Sequence, residues 1–315
     1  SRDDKTIREL FLDIEDNICV LPDFQRDFVW DDGRQKKLLA STLVNLSIGA
    51  LLFIEGSKKD FSIRHIGYAK NNIDNRQETD SRCLFLLDGQ QRLTCLWSFF
   101  SDIFADINDK NNPYKNWRSI YDNLYSGLRK RWVISLKQIN EESTIDLFGY
   151  NNLSFETEIS SLEPDDVIDY ILPKKIVVGN YKNWYHPGYF CHINKDNAQT
   201  LGKIKQNIAD EAAKECVVPL YSLFHDSLYI DIINKIAKGR GREIEDILDN
   251  ITELDELRQK CIELFSKQDP ILIESINEIE DIEELRKKAK DDLSDLKSNW
   301  ASNIKSFFDG IIKNR

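Results

Sequence analysis

The pentapeptide Asp88-Gly89-Gln90-Gln91-Arg92 interrupts an apolar run, Leu84-Phe85-Leu86-Leu87, and gives way at once to Leu93-Thr94-Cys95-Leu96-Trp97. Its residue types suit an anion. A glycine lets the backbone turn sharply or approach a ligand closely. An arginine presents a planar fork of donors that matches phosphate oxygens. Gln90 and Gln91 can donate to phosphate or orient a water. Asp88 can hold magnesium through oxygen or act as a base, and Thr94 can cap a helix or reach a metal. The same five residues also suit a plain turn with a surface arginine.

A second segment, LPDFQRDFVW at 21–30, sets Gln25 and Arg26 among Phe24, Phe28 and Trp30. Polar groups there can hold phosphate while rings pack a base. In the alternative, the rings anchor the loop and Arg26 pairs with Asp23 or Asp27. For Phe28 and Trp30, anchoring the loop to the core is the expected role. A third segment, Ser47-Ile48-Gly49, opens the apolar run that ends at Gly56 and reads as a strand with a close backbone approach.

The elements that must position these segments follow from period and punctuation. A helix is predicted over 5–16, a strand over 19–22 stopped by Pro22, and a helix over 33–46 started by Asp31 or Asp32. A strand follows over 47–56, then a polar, Asn-rich insertion over 57–82. A doubly buried strand over 82–87 and a helix over 93–104 bracket the pentapeptide. Strand, polar turn and helix N-terminus together make an anion-binding geometry, because the first helical N–H groups lack internal partners and the dipole favours negative charge. Further on come a helix over 116–128, a strand over 131–136, a short helix over 164–172 and an extended piece over 175–179. Helices follow over 197–214, 225–238 and 242–266. From Ile273 apolar residues recur at three or four, as in one long amphipathic helix or a pair. The fold class predicted is α+β: a small mixed sheet with helices, then a mostly helical second half. The expected divisions are 1–130, 131–224 and 225–315.

Composition narrows the function classes. The chain has 315 residues and a net charge of −11, of which residues 241–300 carry −9 (18 Asp/Glu against 9 Lys/Arg). Such a tail would repel phosphates, so nucleic acid is not expected to wrap it. There is no run of eighteen apolar residues and no basic-then-apolar start, so neither a membrane span nor a signal peptide is expected. Six scattered cysteines without a C-x-x-C pair suit reduced thiols in a cytoplasm. The absence of Met and the start at Ser1 suggest a processed or incomplete sequence. His186, Cys191 and His192 lie close enough in sequence to suggest zinc, but a fourth ligand at zinc spacing is missing, and a rim of core aromatics is the expected reading.

Taken in order, P-D-F-Q-R-D-F-V-W, a helix, S-I-G-A-L-L-F-I-E and L-L-D-G-Q-Q-R-L-T resemble the N-terminal domain of GmrSD-type (type IV) restriction proteins, in the ParB/sulfiredoxin-like superfamily. The resemblance is densest over 18–100 and only general beyond 130. It implies a nucleotide-binding fold in which the two arginine-bearing turns meet around a nucleoside triphosphate (GTP, ATP or CTP) with magnesium. It assigns Asp88, Gln90 and Arg92 to catalysis and Asp88 to the metal. Gln25, Arg26, Ser47, Ile48, Gly49, Gly89, Gln91 and Thr94 are assigned to binding. Ser47 departs from the family's usual proline, which alters the start of the strand more than the chemistry. Sulfiredoxin-type redox chemistry wants a cysteine inside the turn, where Gln90 and Gln91 stand, so Cys95 is expected as a buried helix residue.

The family commonly adds an HNH-type nuclease, yet His65, His186, His192 and His225 show no such spacing. The implied function is NTP binding and hydrolysis that regulates a nuclease domain or partner subunit acting on DNA, with a homo-oligomer compatible. The alternative is a non-catalytic module that binds DNA or senses its modification.

Overall fold

The computed structural model describes residues 6–69, 81–106, 109, 112–139, 146–155, 158, 161–192, 201–224, 228–265 and 270–313. The first elements are α1 (Ile7–Glu15), β1 (Cys19–Pro22), α2 (Asp32–Leu43), β2 (Leu52–Ser57), β3 (Ile63–Arg64), β4 (Arg82–Asp88) and α3 (Gln90–Phe100). Local chemistry sets their limits. Thr6 and Glu9 form a reciprocal capping box at the start of α1, whose Leu10, Phe11 and Ile14 face inward. Asp31 caps α2 by accepting from the Arg34 N–H at 2.8 Å.

The first sheet has the order β2-β4-β1-β3. Strand β4 pairs with β1 in parallel and with β2 antiparallel. This topology decides where function can sit. Parallel neighbours end on the same side of a sheet, so the segment after β1 and the segment after β4 emerge together. Antiparallel β2 begins on that side, with Leu52 opposite Asp88. All three motifs therefore meet at one sheet end, although they are far apart in sequence.

The chain continues through α4 (Trp117–Asn123), β5 (Lys130–Ser135), α5 (Pro164–Val167), β6 (Ile171–Lys175), α6 (Pro187–His192), α7 (Leu201–Glu215) and β7 (Val217–Pro219). These strands form a small antiparallel sheet, β6-β5-β7, with every residue of the central β5 buried. From residue 228 the described chain is helical: α8 (Leu228–Asn250), α9 (Leu254–Phe265), α10 (Pro270–Glu278) and α11 (Ile282–Lys313). The architecture is α+β, and one continuous core runs from Leu10 in α1 to Ile311 in α11.

Within that core, Arg131 of β5 donates to Asp102, just past α3, at 2.9 Å, with both side chains buried. Tyr114 donates to the other Asp102 oxygen at 2.5 Å, and the rings of Phe104, Tyr114 and Tyr221 surround the guanidinium. Burial is the largest single influence on Arg131 and would lower its pKa; Asp102, Tyr221 and Tyr114 together outweigh it, and the pKa lies above the ordinary arginine value. Among the described residues no helix is long and apolar enough to cross a membrane.

Several sequence boundaries are corrected. The run 47–56 is a strand only from Leu52, because positive φ at Gly49 keeps 47–51 a loop. The helix after the pentapeptide starts at Gln90, so Gln90, Gln91 and Arg92 are its first turn and not an exit loop. The extended piece lies earlier, at Ile171–Lys175, and the helical reading of 164–172 stops at Tyr170. Gly239 and Gly241 do not break α8; the helix breaks at 251–253 instead. β7, only three residues long, has too little period to be read from sequence. The Asn-rich insertion is described only at its ends, since 70–80 lie outside the described residues.

Candidate functional site

At the shared sheet end a cavity of about 120 Å³ is lined by Gln25, Arg26, Trp30, Asp88, Gly89, Gln90, Gln91 and Arg92. The two arginine-bearing turns thus converge. Their side chains, however, do different things.

Gln91 is a clamp. Its Oε1 accepts from the Val29 N–H at 2.9 Å, and its Nε2 donates to the Asp27 carbonyl at 3.0 Å. Gln25 donates to the Leu87 carbonyl at 2.9 Å, tying the same loop to the end of β4. Arg92 is largely a brace: it donates to the Ile48 carbonyl at 2.9 Å and the Ala50 carbonyl at 2.8 Å, and meets Asp88 at 3.5 Å. That is why glycine stands at 49, where φ is +85° and an added Cβ would lie 2.1 Å from Arg92 Nη1. Gly89, with φ +90°, likewise has no room for a Cβ, which would come 2.4 Å from Leu51.

Two groups in the cavity wall are uncommitted. Gln90 is 5% exposed, yet neither its carboxamide nitrogen nor its oxygen has a partner. Buried polar groups are nearly always paired, so this one is poised for a ligand or water. Arg26 is exposed, and its guanidinium makes no ion pair or hydrogen bond among the described residues. The helix start adds more donors. Gly89 is the N-cap residue of α3 without a capping side chain, and the first intrahelical bond runs from the Leu93 N–H to the Gly89 carbonyl. The N–H groups of Gln90, Gln91 and Arg92 are thereby left without helical acceptors, with the positive end of the dipole behind them.

The remaining expected residues stand apart. Thr94 is one turn inside α3, 1% exposed, its hydroxyl without a partner; it neither caps the helix nor lines the cavity. Ser47, Ile48 and Gly49 form the loop gripped by Arg92 and do not line the cavity. Asp88 is largely exposed beside Arg92. Among the described residues no three His, Cys, Asp or Glu groups converge as a metal cage. His186 is buried and accepts from the Gly188 N–H, and Cys191 donates to the Tyr114 carbonyl at 2.8 Å; the His192 side chain lies outside the described residues. Cys95 is fully buried, and burial pushes its thiol far up, away from nucleophile chemistry.

Sequence reasoning missed Arg64. Its guanidinium is 1% exposed and donates to Asp27 at 2.9 Å, to the Tyr125 hydroxyl at 3.0 Å, and to the Gln25 and Arg26 carbonyls. An arginine inside the apolar stretch Ile63-Arg64-His65-Ile66 was the available signal. Phe28 and Trp30 anchor the loop to the core as expected, Phe28 buried against Tyr125 and Trp30 half-buried; what sequence reasoning missed is that Trp30 also lines the cavity.

A larger cleft, about 670 Å³, lies between α7 and α8, with Lys137, Tyr150 and Arg240 among its walls. Its carboxylates Asp210, Glu211 and Glu243 would repel a polyanion, and Lys235, Lys214 and Arg240 there are already paired with them.

The family described as GmrSD restriction endonuclease, N-terminal domain, matches residues 7–313. The chain belongs to that family. The match extends well past the motif-bearing third, so the helical half is part of the same family unit. The chain is also similar to an uncharacterized protein, MJ0686, of Methanocaldococcus jannaschii, 35% identical over 123 residues. That likeness covers 38% of this chain and 20% of the archaeal protein, so the chain spans about a fifth of that relative's length. No solved structure matches.

Proposed function

We propose that this family member binds a nucleoside triphosphate at the shared sheet end and hydrolyses it. The observation that carries the reading is the cavity in which Arg26, the uncapped start of α3 and the unpartnered Gln90 carboxamide face one small space. A phosphate group supplies the negative charge that the Arg26 guanidinium, unpaired among the described residues, and the helix start lack. Arg26 and the first N–H groups of α3 bind it. Gln90, with a donor and an acceptor both open, holds a water, which also offers both. Gln91 and Arg92 act indirectly, by fixing the loops on either side. Magnesium would be held through phosphate oxygens and one carboxylate, and Asp88 is that carboxylate; the ion would neutralise developing charge on the phosphates.

In a restriction protein such occupancy would be relayed to a nuclease domain or partner subunit on DNA, in the cytoplasm, as a shift between two populations. Phosphate release with ATP, GTP or CTP and magnesium tests the reading. Release should fall by at least tenfold in Arg26→Ala and in Gln90→Ala. No release by the wild type, with DNA retained in a steeply salt-dependent way, would favour a DNA-binding module instead.

A further inference from the structure

We infer that Trp30 is the platform on which the base of the bound nucleotide stacks; the inference rests on the phosphate site proposed above. A cavity of about 120 Å³ is well below the roughly 300–1,000 Å³ of sites that enclose a whole small-molecule ligand. It can take the phosphate end alone, so the nucleoside must lie across the mouth. Among the described residues Trp30 is the one aromatic side chain in the wall.

Neighbouring rings are otherwise engaged. Phe28 tilts onto Tyr125, and Phe24 meets Phe61 edge-on. Trp30 has no aromatic or cationic partner among the described residues and is half-buried, so one part of it anchors to the core while another meets the cavity. Its backbone is held in place. The Trp30 carbonyl accepts from Gln35 at 3.0 Å, and the next residue, Asp31, caps α2. The side chain is therefore presented from a fixed frame, four residues after Arg26.

The chemistry of such a platform is specific in one respect and tolerant in another. Every base has a π-face, so stacking adds affinity without reading hydrogen-bond edges. ATP, GTP and CTP should all bind, with differences under about tenfold and purines ahead through their larger face.

Calorimetric titration of the full chain with magnesium, using the three nucleotides and inorganic tripolyphosphate, separates this inference from the reading beneath it. The wild type should bind nucleotides more tightly than tripolyphosphate. Trp30→Ala should weaken nucleotide binding by about 10- to 100-fold while leaving tripolyphosphate unchanged, and Trp30→Phe should restore most of the loss. Equal wild-type affinity for nucleotide and tripolyphosphate, or a Trp30→Ala loss shared by both, would overturn the platform and leave the phosphate site standing. A wild type that binds neither would overturn both.

Discussion

Two adjacent glutamines with the same side chain have opposite situations. Gln91 carries two backbone hydrogen bonds to the Gln25–Arg26 loop; Gln90 carries none. Gln91→Ala should therefore cost about 1–3 kcal/mol of stability in urea denaturation, since it orphans an N–H and a carbonyl. Gln90→Ala should leave stability within about 1 kcal/mol while phosphate release falls. The reverse pattern would exchange their roles. The motif raises the expectation of an anion site in the sequence but not this division of labour, because which glutamine is committed depends on a loop some sixty residues away. The position of Arg64 between Ile63 and Ile66 hints at burial, but its partners in the Gln25–Arg26 loop are set by the same long-range contact. At Cys191, burial pushes the thiol up to about 11. The reactive thiolate is then scarce at neutral pH, and alkylation of Cys191, followed by peptide mass spectrometry, should rise about tenfold per pH unit from 7 to 10. A plateau near pH 8.5 would mean an ordinary thiol.

At the level of elements, the pattern of apolar residues marked α1, β1, α2, β4 and β5 well, with Thr6 and Asp31 capping the two helices and Pro22 ending β1. It failed where a backbone angle or a tertiary partner decides the boundary. The 47–51 loop reads as strand but is held by Arg92 around Gly49. Gly49→Ala must both adopt a positive φ and displace that guanidinium. A loss of about 1–3 kcal/mol is expected, with nucleotide binding weakened by the loosened Arg92. An unchanged midpoint in thermal unfolding would show that the loop is less constrained than its contacts require. The parallel pairing of β1 with β4, which brings the motifs together, leaves no local trace in the sequence.

Across the whole molecule, the Arg131–Asp102 pair joins the small sheet to the segment after α3 inside one core. Arg131→Met would strand a buried carboxylate and should cost about 3–5 kcal/mol by denaturant titration; a loss below about 1 kcal/mol would mean that water reaches Asp102. Family membership over residues 7–313 fits this continuity, because the helical half shares its core with the motif-bearing half. The most direct test of the account is a crystal structure of the chain with magnesium and a slowly hydrolysed nucleoside triphosphate. The account predicts phosphate oxygens within hydrogen-bond distance of the Arg26 guanidinium and the first N–H groups of α3, with Gln90 facing the terminal phosphate. A triphosphate seated in the α7–α8 cleft, with the Arg26 and Gln90 side chains untouched, would contradict it.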